Sequence, residues 1–112
     1  MASAPVTVII GGSPFECVRL GEAEFPDVAA IYVILCVSEG GSWRVLDVLD
    51  VGETGHLGSS ISTHERKDQW LANCPNKNVW AGFCRMTGSN DEDRRRIELR
   101  LRQQYAPVCS HR

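Results

Sequence analysis

The sequence predicts an α+β fold: a small, largely antiparallel sheet with a three-stranded core, flanked by helices and preceded by an N-terminal β extension. Three observations predict it. IYVILCV, Ile31–Val37, is a continuous apolar run of the kind that a strand buried on both faces needs. WRVLDVLDV, Trp43–Val51, returns after SEGGS, whose paired glycines suit the positive φ angles of a hairpin. Two helix-period segments then bracket a third apolar run, VWAGFCRM, Val79–Met86.

Val6–Ile10 is β-branched and apolar, so it reads as a strand ended by Gly11-Gly12-Ser13-Pro14. Phe15 to Leu20 is a weaker second strand. Gly21 to Pro26 is acidic turn material, and Pro26 blocks a strand interior there. Residues 1–28 are therefore an extension that supplies extra strands, caps the site or mediates dimerisation, and 29–112 form the core domain. In the returning strand a period of two puts Asp50 on the face of Leu46 and Val48. Gly52-Glu53-Thr54-Gly55 turns the chain into a helix expected from Leu57 to Asn73. Leu57, Ile61 and Leu71 make its thin apolar stripe, and Ser60, His64 and Asp68 lie at i, i+4 and i+8. Asn90 or Asp91 caps a last helix whose first turn holds three acids, as the macrodipole favours. Ile97, Leu101 and Tyr105 form its buried stripe, and Pro107 stops it.

A chain of 112 residues supports one core and not two. Its 43% hydrophobic content excludes disorder. No apolar run approaches the roughly 20 residues that cross a bilayer, so no membrane partner is expected. MASAPVTVII lacks the basic start and long apolar core of a signal peptide, which makes the cytoplasm the expected location. The net charge of −2 divides unevenly: −4 over residues 1–42, zero over 43–90 and +2 over 91–112. That balance disfavours unspecific coating of DNA and leaves room for a local basic face. Five cysteines with no C-x-x-C pair disfavour a disulfide framework and a zinc ribbon, and Cys36 and Cys84 read as small core hydrophobes. Cys109 and His111 would be half of a metal site with no visible second half.

Three chemistries compete for the polar residues. G-E-T-G-H-L-G lacks the Lys-Ser/Thr and the parallel βαβ frame that a phosphate loop requires. Ser60 and His64, four apart, could pair as nucleophile and base, though such pairs on a helix surface are commonly decoration. The third is a dispersed set: Tyr32 opening the first core strand, Asp50 to Gly52 ending the second, His64 on the first helix and Glu98 on the last.

This order and spacing resembles the GIY-YIG nuclease family. Ala30-Ile31-Tyr32 stands where the family's Gly-Ile-Tyr begins, and Asp50-Val51-Gly52 where its Tyr-Ile-Gly ends the hairpin. Gly52-Glu53-Thr54-Gly55 with Leu57 is similar to the loop and helix start that follow. His64 falls twelve residues after Gly52, where many members carry a histidine, and HERKDQW, His64–Trp70, resembles short bacterial stand-alone members. RRRIELRLRQQYAPVC, Arg94–Cys109, is similar to the closing helix and its terminal Tyr-x-Pro-x-Cys. The likeness runs from Ala29 to Ser110.

The resemblance implies hydrolysis of DNA phosphodiesters, with Mg²⁺ or Mn²⁺ held by Glu98 and no organic cofactor. Tyr32 would activate water, with His64 and Asp50 in support, on one wall of the protein shared with Glu98. Arg66, Lys67, Arg94 and Arg102 would meet the nucleic acid. Two departures leave the set incomplete: Asp50 replaces the second tyrosine, and Ser60 stands where an arginine steadies the phosphate. Arg66, Lys67 or an arginine of the last helix could stand in, although on a continuous helix Arg66 faces another way. The reading is a catalytically degenerate nuclease. Its alternative is a non-catalytic module on the same fold that binds nucleic acid, a protein or a second copy. Plainer roles stand beside these: Tyr32 as a core tyrosine, His64 as a helix-surface residue, and Glu98 paired with Arg94 and Arg102 at i−4 and i+4.

Overall fold

The computed structural model describes residues 5–21, 24–40, 42–62, 64 and 66–109. The chain runs β1 (Val6–Ile10), β2 (Ser13–Arg19), β3 (Ala30–Val37), β4 (Val45–Thr54), α1 (Leu57–Ser62), α2 (Lys67–Ala72), β5 (Val79–Arg85) and α3 (Asp91–Tyr105). The strands form one sheet in the order β1-β2-β5-β3-β4, every neighbouring pair antiparallel. The α+β class holds, and among the described residues the sheet has five strands, the expected three-stranded core being β5-β3-β4 and the N-terminal extension adding β1 and β2. Positive φ at Gly11 and Gly12 closes the β1–β2 hairpin, and β2 then pairs with the outer side of β5. The N-terminal segment thus continues the same sheet. No helix of the described residues is long and apolar enough to cross a membrane.

Both faces of the sheet are covered, which is why β3 is buried at every position and reads as an unbroken apolar run. On one face Tyr32, Ile34, Leu49, Ala81 and Phe83 pack with Leu57, Ile61 and Trp70 of α1 and α2. On the other, Ile31, Val33, Leu35 and Val51 pack with Leu101, Ile97 and Tyr105 of α3. The Asn90 side chain accepts a hydrogen bond from the Asp93 amide and caps α3 as expected. Ala106, at φ 46°, ends it before Pro107.

Three local expectations are corrected. The single helix expected from Leu57 to Asn73 is two short helices. At about 100° per residue, nine residues place Trp70 roughly 180° from Ile61 on a continuous helix. Trp70 is nevertheless fully buried against the sheet, while Leu71 is 40% exposed. The break at His64 supplies the missing rotation.

The second correction concerns Asp50. The β3–β4 register passes from Leu35↔Val48 to Ile34↔Asp50, so Leu49 is an extra residue in β4. Such a bulge inverts the alternation beyond it. Asp50 therefore faces Trp70, on the side opposite Val48.

The third concerns cysteine. Cys36 on β3 and Cys74 after α2 form a disulfide, leaving Cys17, Cys84 and Cys109 as thiols. An odd cysteine count does not prevent a single bridge, and these two sit buried where α2 ends against the sheet.

Candidate functional site

Tyr32 lies opposite Gly52 in the β3–β4 ladder. A side chain at position 52 would run into the Tyr32 ring, so the glycine leaves the phenol a path across β4, the edge strand. At the end of that path the Tyr32 hydroxyl is 2.9 Å from His64 Nε2. The imidazole also packs on Trp70, with ring centroids 4.5 Å apart. Burial raises the Tyr32 phenol above its ordinary range; Asp50 and Glu98 push the same way, and Arg66 and Arg102 oppose them.

Asp50 is fully buried and holds its neighbours together. Its carboxylate accepts from Arg66 Nε at 2.9 Å, from Arg66 Nη2 at 3.4 Å, from Trp70 Nε1 at 2.9 Å and from the Val51 amide at 2.9 Å. A buried charge demands such partners. Arg66 does not face elsewhere, as the continuous-helix reading expected: the break at His64 turns it toward Asp50.

Glu98 approaches from the other side. α3 packs on the face opposite Tyr32 and His64, so the expected common wall joins only those two. Glu98 comes up beside the β4 edge, close enough to act on the phenol electrostatically. Its Oε2 is 3.3 Å from Arg102 Nη2, which also donates to the Val51 carbonyl at 2.8 Å. Arg102 Nε and Nη1 are buried with no hydrogen-bond partner among the described residues. Val108 and Cys109 cover the next stretch of that edge, their amides bonded to Val48 and Leu49 carbonyls.

The remaining candidates hold structural contacts. Ser60 Oγ meets Thr54 Oγ1 at 2.5 Å. Lys67 Nζ donates to the Ser62 carbonyl at 3.3 Å. Arg94 is buried and joins Glu53 at 3.0 Å, the Ser89 carbonyl and hydroxyl at 2.9 Å each, and Asp91. Arg66, Arg94 and Arg102 thus all have carboxylate partners inside the fold.

Among the described residues the sheet pairs no parallel strands and so provides no βαβ unit, which removes the phosphate-loop reading of Gly52 to Gly58. Cys109 packs against the Gln69 carbonyl, and His111 lies outside the described residues. Sequence reasoning missed Trp70 as a member of the site. The signal was its half-turn offset from Ile61, which a single helix cannot bury. Comparison with family models, curated proteins and solved structures finds no match to this chain.

Proposed function

We propose that this chain is a GIY-YIG-like nuclease fold with an attenuated site for metal-dependent hydrolysis of DNA phosphodiesters at the β4 edge. One relationship supports the reading. Tyr32 bonds His64 across the bare backbone of Gly52, with the Glu98 charge acting on the same phenol. These three side chains, distant in sequence, are the ones the resemblance assigns to water activation, support and metal binding.

A resident Mg²⁺ or Mn²⁺ would have Glu98 as its one side-chain ligand. The described residues gather no group of three or more His, Cys, Asp or Glu able to hold a metal. A hard divalent cation accepts one carboxylate and a shell of water, and when bound it supplies Lewis acidity at a phosphoryl oxygen. Glu98 suits that role, although Arg102 already offsets part of its charge. The chain's own residues do the positioning: His64 fixes the phenol, and Gly52 leaves it a way to the edge.

Attenuation follows from two features. Ser60, whose hydroxyl meets that of Thr54, puts a neutral group where the resemblance expects an arginine. Losing one such donor commonly lowers turnover by about 10²–10³. The raised phenol also stays protonated at neutral pH, which makes it a poor base. The same features favour a second reading, a non-catalytic module binding nucleic acid or protein. Nicking of supercoiled DNA with Mn²⁺ separates the two. Slow nicking that Glu98→Ala abolishes is the expected result; equal background from both proteins would overturn the hydrolase reading.

A further inference from the structure

Two hydrogen bonds fix where His64 carries its proton. The Arg66 amide is 3.1 Å from His64 Nδ1. A backbone amide only donates, so Nδ1 accepts and bears no hydrogen. The neutral ring then carries its proton on Nε2, and that N–H donates to the Tyr32 oxygen 2.9 Å away. The phenol's own hydrogen must therefore go elsewhere. Among the described residues the Tyr32 hydroxyl makes no second hydrogen bond.

Both residues that touch the imidazole are gripped by one carboxylate. Arg66 presents its amide to Nδ1 from just before α2, and its guanidinium is fastened to Asp50 through Nε and Nη2. Trp70, a turn later, packs its ring on the imidazole and donates Nε1–H to the same Asp50 Oδ2. Asp50 itself lies two residues before Gly52, in the strand that Tyr32 crosses. Remove its charge and the two groups that set the ring's tautomer and tilt lose their common anchor.

We infer that Asp50 is a positioning residue that, through Arg66 and Trp70, locks His64 in the Nε2–H tautomer and so presents the Tyr32 hydroxyl as a hydrogen-bond donor toward an oxyanion, such as a phosphate oxygen, at the β4 edge. This deepens the nuclease reading and rests on it for its bearing on phosphodiesters. Asp50, a departure from the resemblance, acquires a role that a second tyrosine in its place would not fill. A ring left to exchange tautomers would accept the phenol hydrogen part of the time and withdraw it from a ligand.

Long-range ¹H–¹⁵N NMR of the His64 ring in the wild-type protein at neutral pH tests this directly. An unprotonated Nδ1 with a protonated Nε2 is the expected pattern; a proton on Nδ1, or an averaged pair, overturns the tautomer lock. Asp50→Asn should convert the locked pattern to an averaged one while the backbone spectrum stays folded. Trp70→Phe keeps an aromatic ring and loses the N–H, so it carries the test if Asp50→Asn does not fold. A variant that only lowers stability and leaves the tautomer intact would reduce Asp50 to a structural residue. Titration with dimethyl phosphate supplies the ligand arm, and the expected result is a shift of the Tyr32 ring resonances that Asp50→Asn weakens. Resonances of Tyr32 that never move would sink the donor role. Absence of nicking would sink the nuclease reading alone, since the tautomer is measured without DNA.

Discussion

The Tyr32 ring occupies the space that a side chain on Gly52 would need, and the two residues face each other across the β3–β4 ladder. The β4 residue opposite the phenol is therefore fixed by sterics, independently of chemistry. Gly52→Ala should destabilise the protein by about 1–3 kcal/mol, the usual cost of forcing a methyl group into filled space. The Tyr32–His64 bond should break with it. Denaturant melts check the first effect and the His64 ring spectrum the second. Combining Gly52→Ala with Tyr32→Ala should cost less than the sum of the two single substitutions, because the clash has then lost one partner.

Asp50 and Arg66 should behave as a coupled pair. Arg66→Gln removes the counter-charge of a carboxylate that is fully buried, so a loss of about 3–5 kcal/mol is expected. Asp50→Asn with Arg66→Gln neutralises both members and still leaves the Trp70 indole an acceptor. The double variant should be less destabilised than Arg66→Gln alone. A double-mutant cycle on chemical melts measures the difference. Simple additivity would show that the buried contact carries no coupling.

What could be read from the sequence was whatever depends on local pattern. The unbroken run of β3, the paired glycines before β4 and the Asn90 cap with Pro107 beyond it each carry their own signal. What could not be read depends on how distant segments meet. The bulge at Leu49 leaves the composition of β4 unchanged, yet it moves Asp50 to the Trp70 side. The break at His64 follows from the need to bury Trp70 and Ile61 against one sheet face, and a helix-period count sees that only as a weak stripe. The dispersed set groups Tyr32 with His64, and the fold joins them directly. The resemblance sets Glu98 on the same wall, whereas α3 lies on the opposite face.

The disulfide gives a chemical test. Cys36 and Cys74 are 38 residues apart in sequence, and the loop they close contains Asp50, His64, Arg66 and Trp70. Closing a loop of that length stabilises by about 4 kcal/mol in the chain-entropy model. Reduction should lower the melting temperature and raise amide exchange in α2. Alkylation of the unfolded, unreduced protein should label Cys17, Cys84 and Cys109 and leave the other two unlabelled. A bridge of this kind normally persists in an oxidising compartment, which opposes the cytoplasmic location expected from the N-terminus. The same alkylation on protein quenched inside cells reports which condition holds. Labelling of all five cysteines there would mean that the cell keeps the bridge reduced.

Alkaline pH should weaken the fold through Cys17 before it affects Tyr32. Cys17 lies fully buried on β2, and burial, with the neighbouring Glu16 charge, pushes its thiol from 9.0 to about 11. Between those values the unfolded chain has released the proton and the native chain still holds it. Rising pH then favours unfolding. The contribution is complete below pH 9.0 and declines through the folded value of about 11. A shift of this size corresponds to about 2–3 kcal/mol. Tyr32, also raised, adds a further decline that begins near the ordinary phenol value of 10.0. Urea melts from pH 8 upward should therefore show a stability loss that starts near 9. Cys17→Ala should flatten the first part of that loss and leave the later, phenol-linked part in place. An unchanged profile in Cys17→Ala would mean that another group, such as the raised Cys84 or Cys109, controls the alkaline limb.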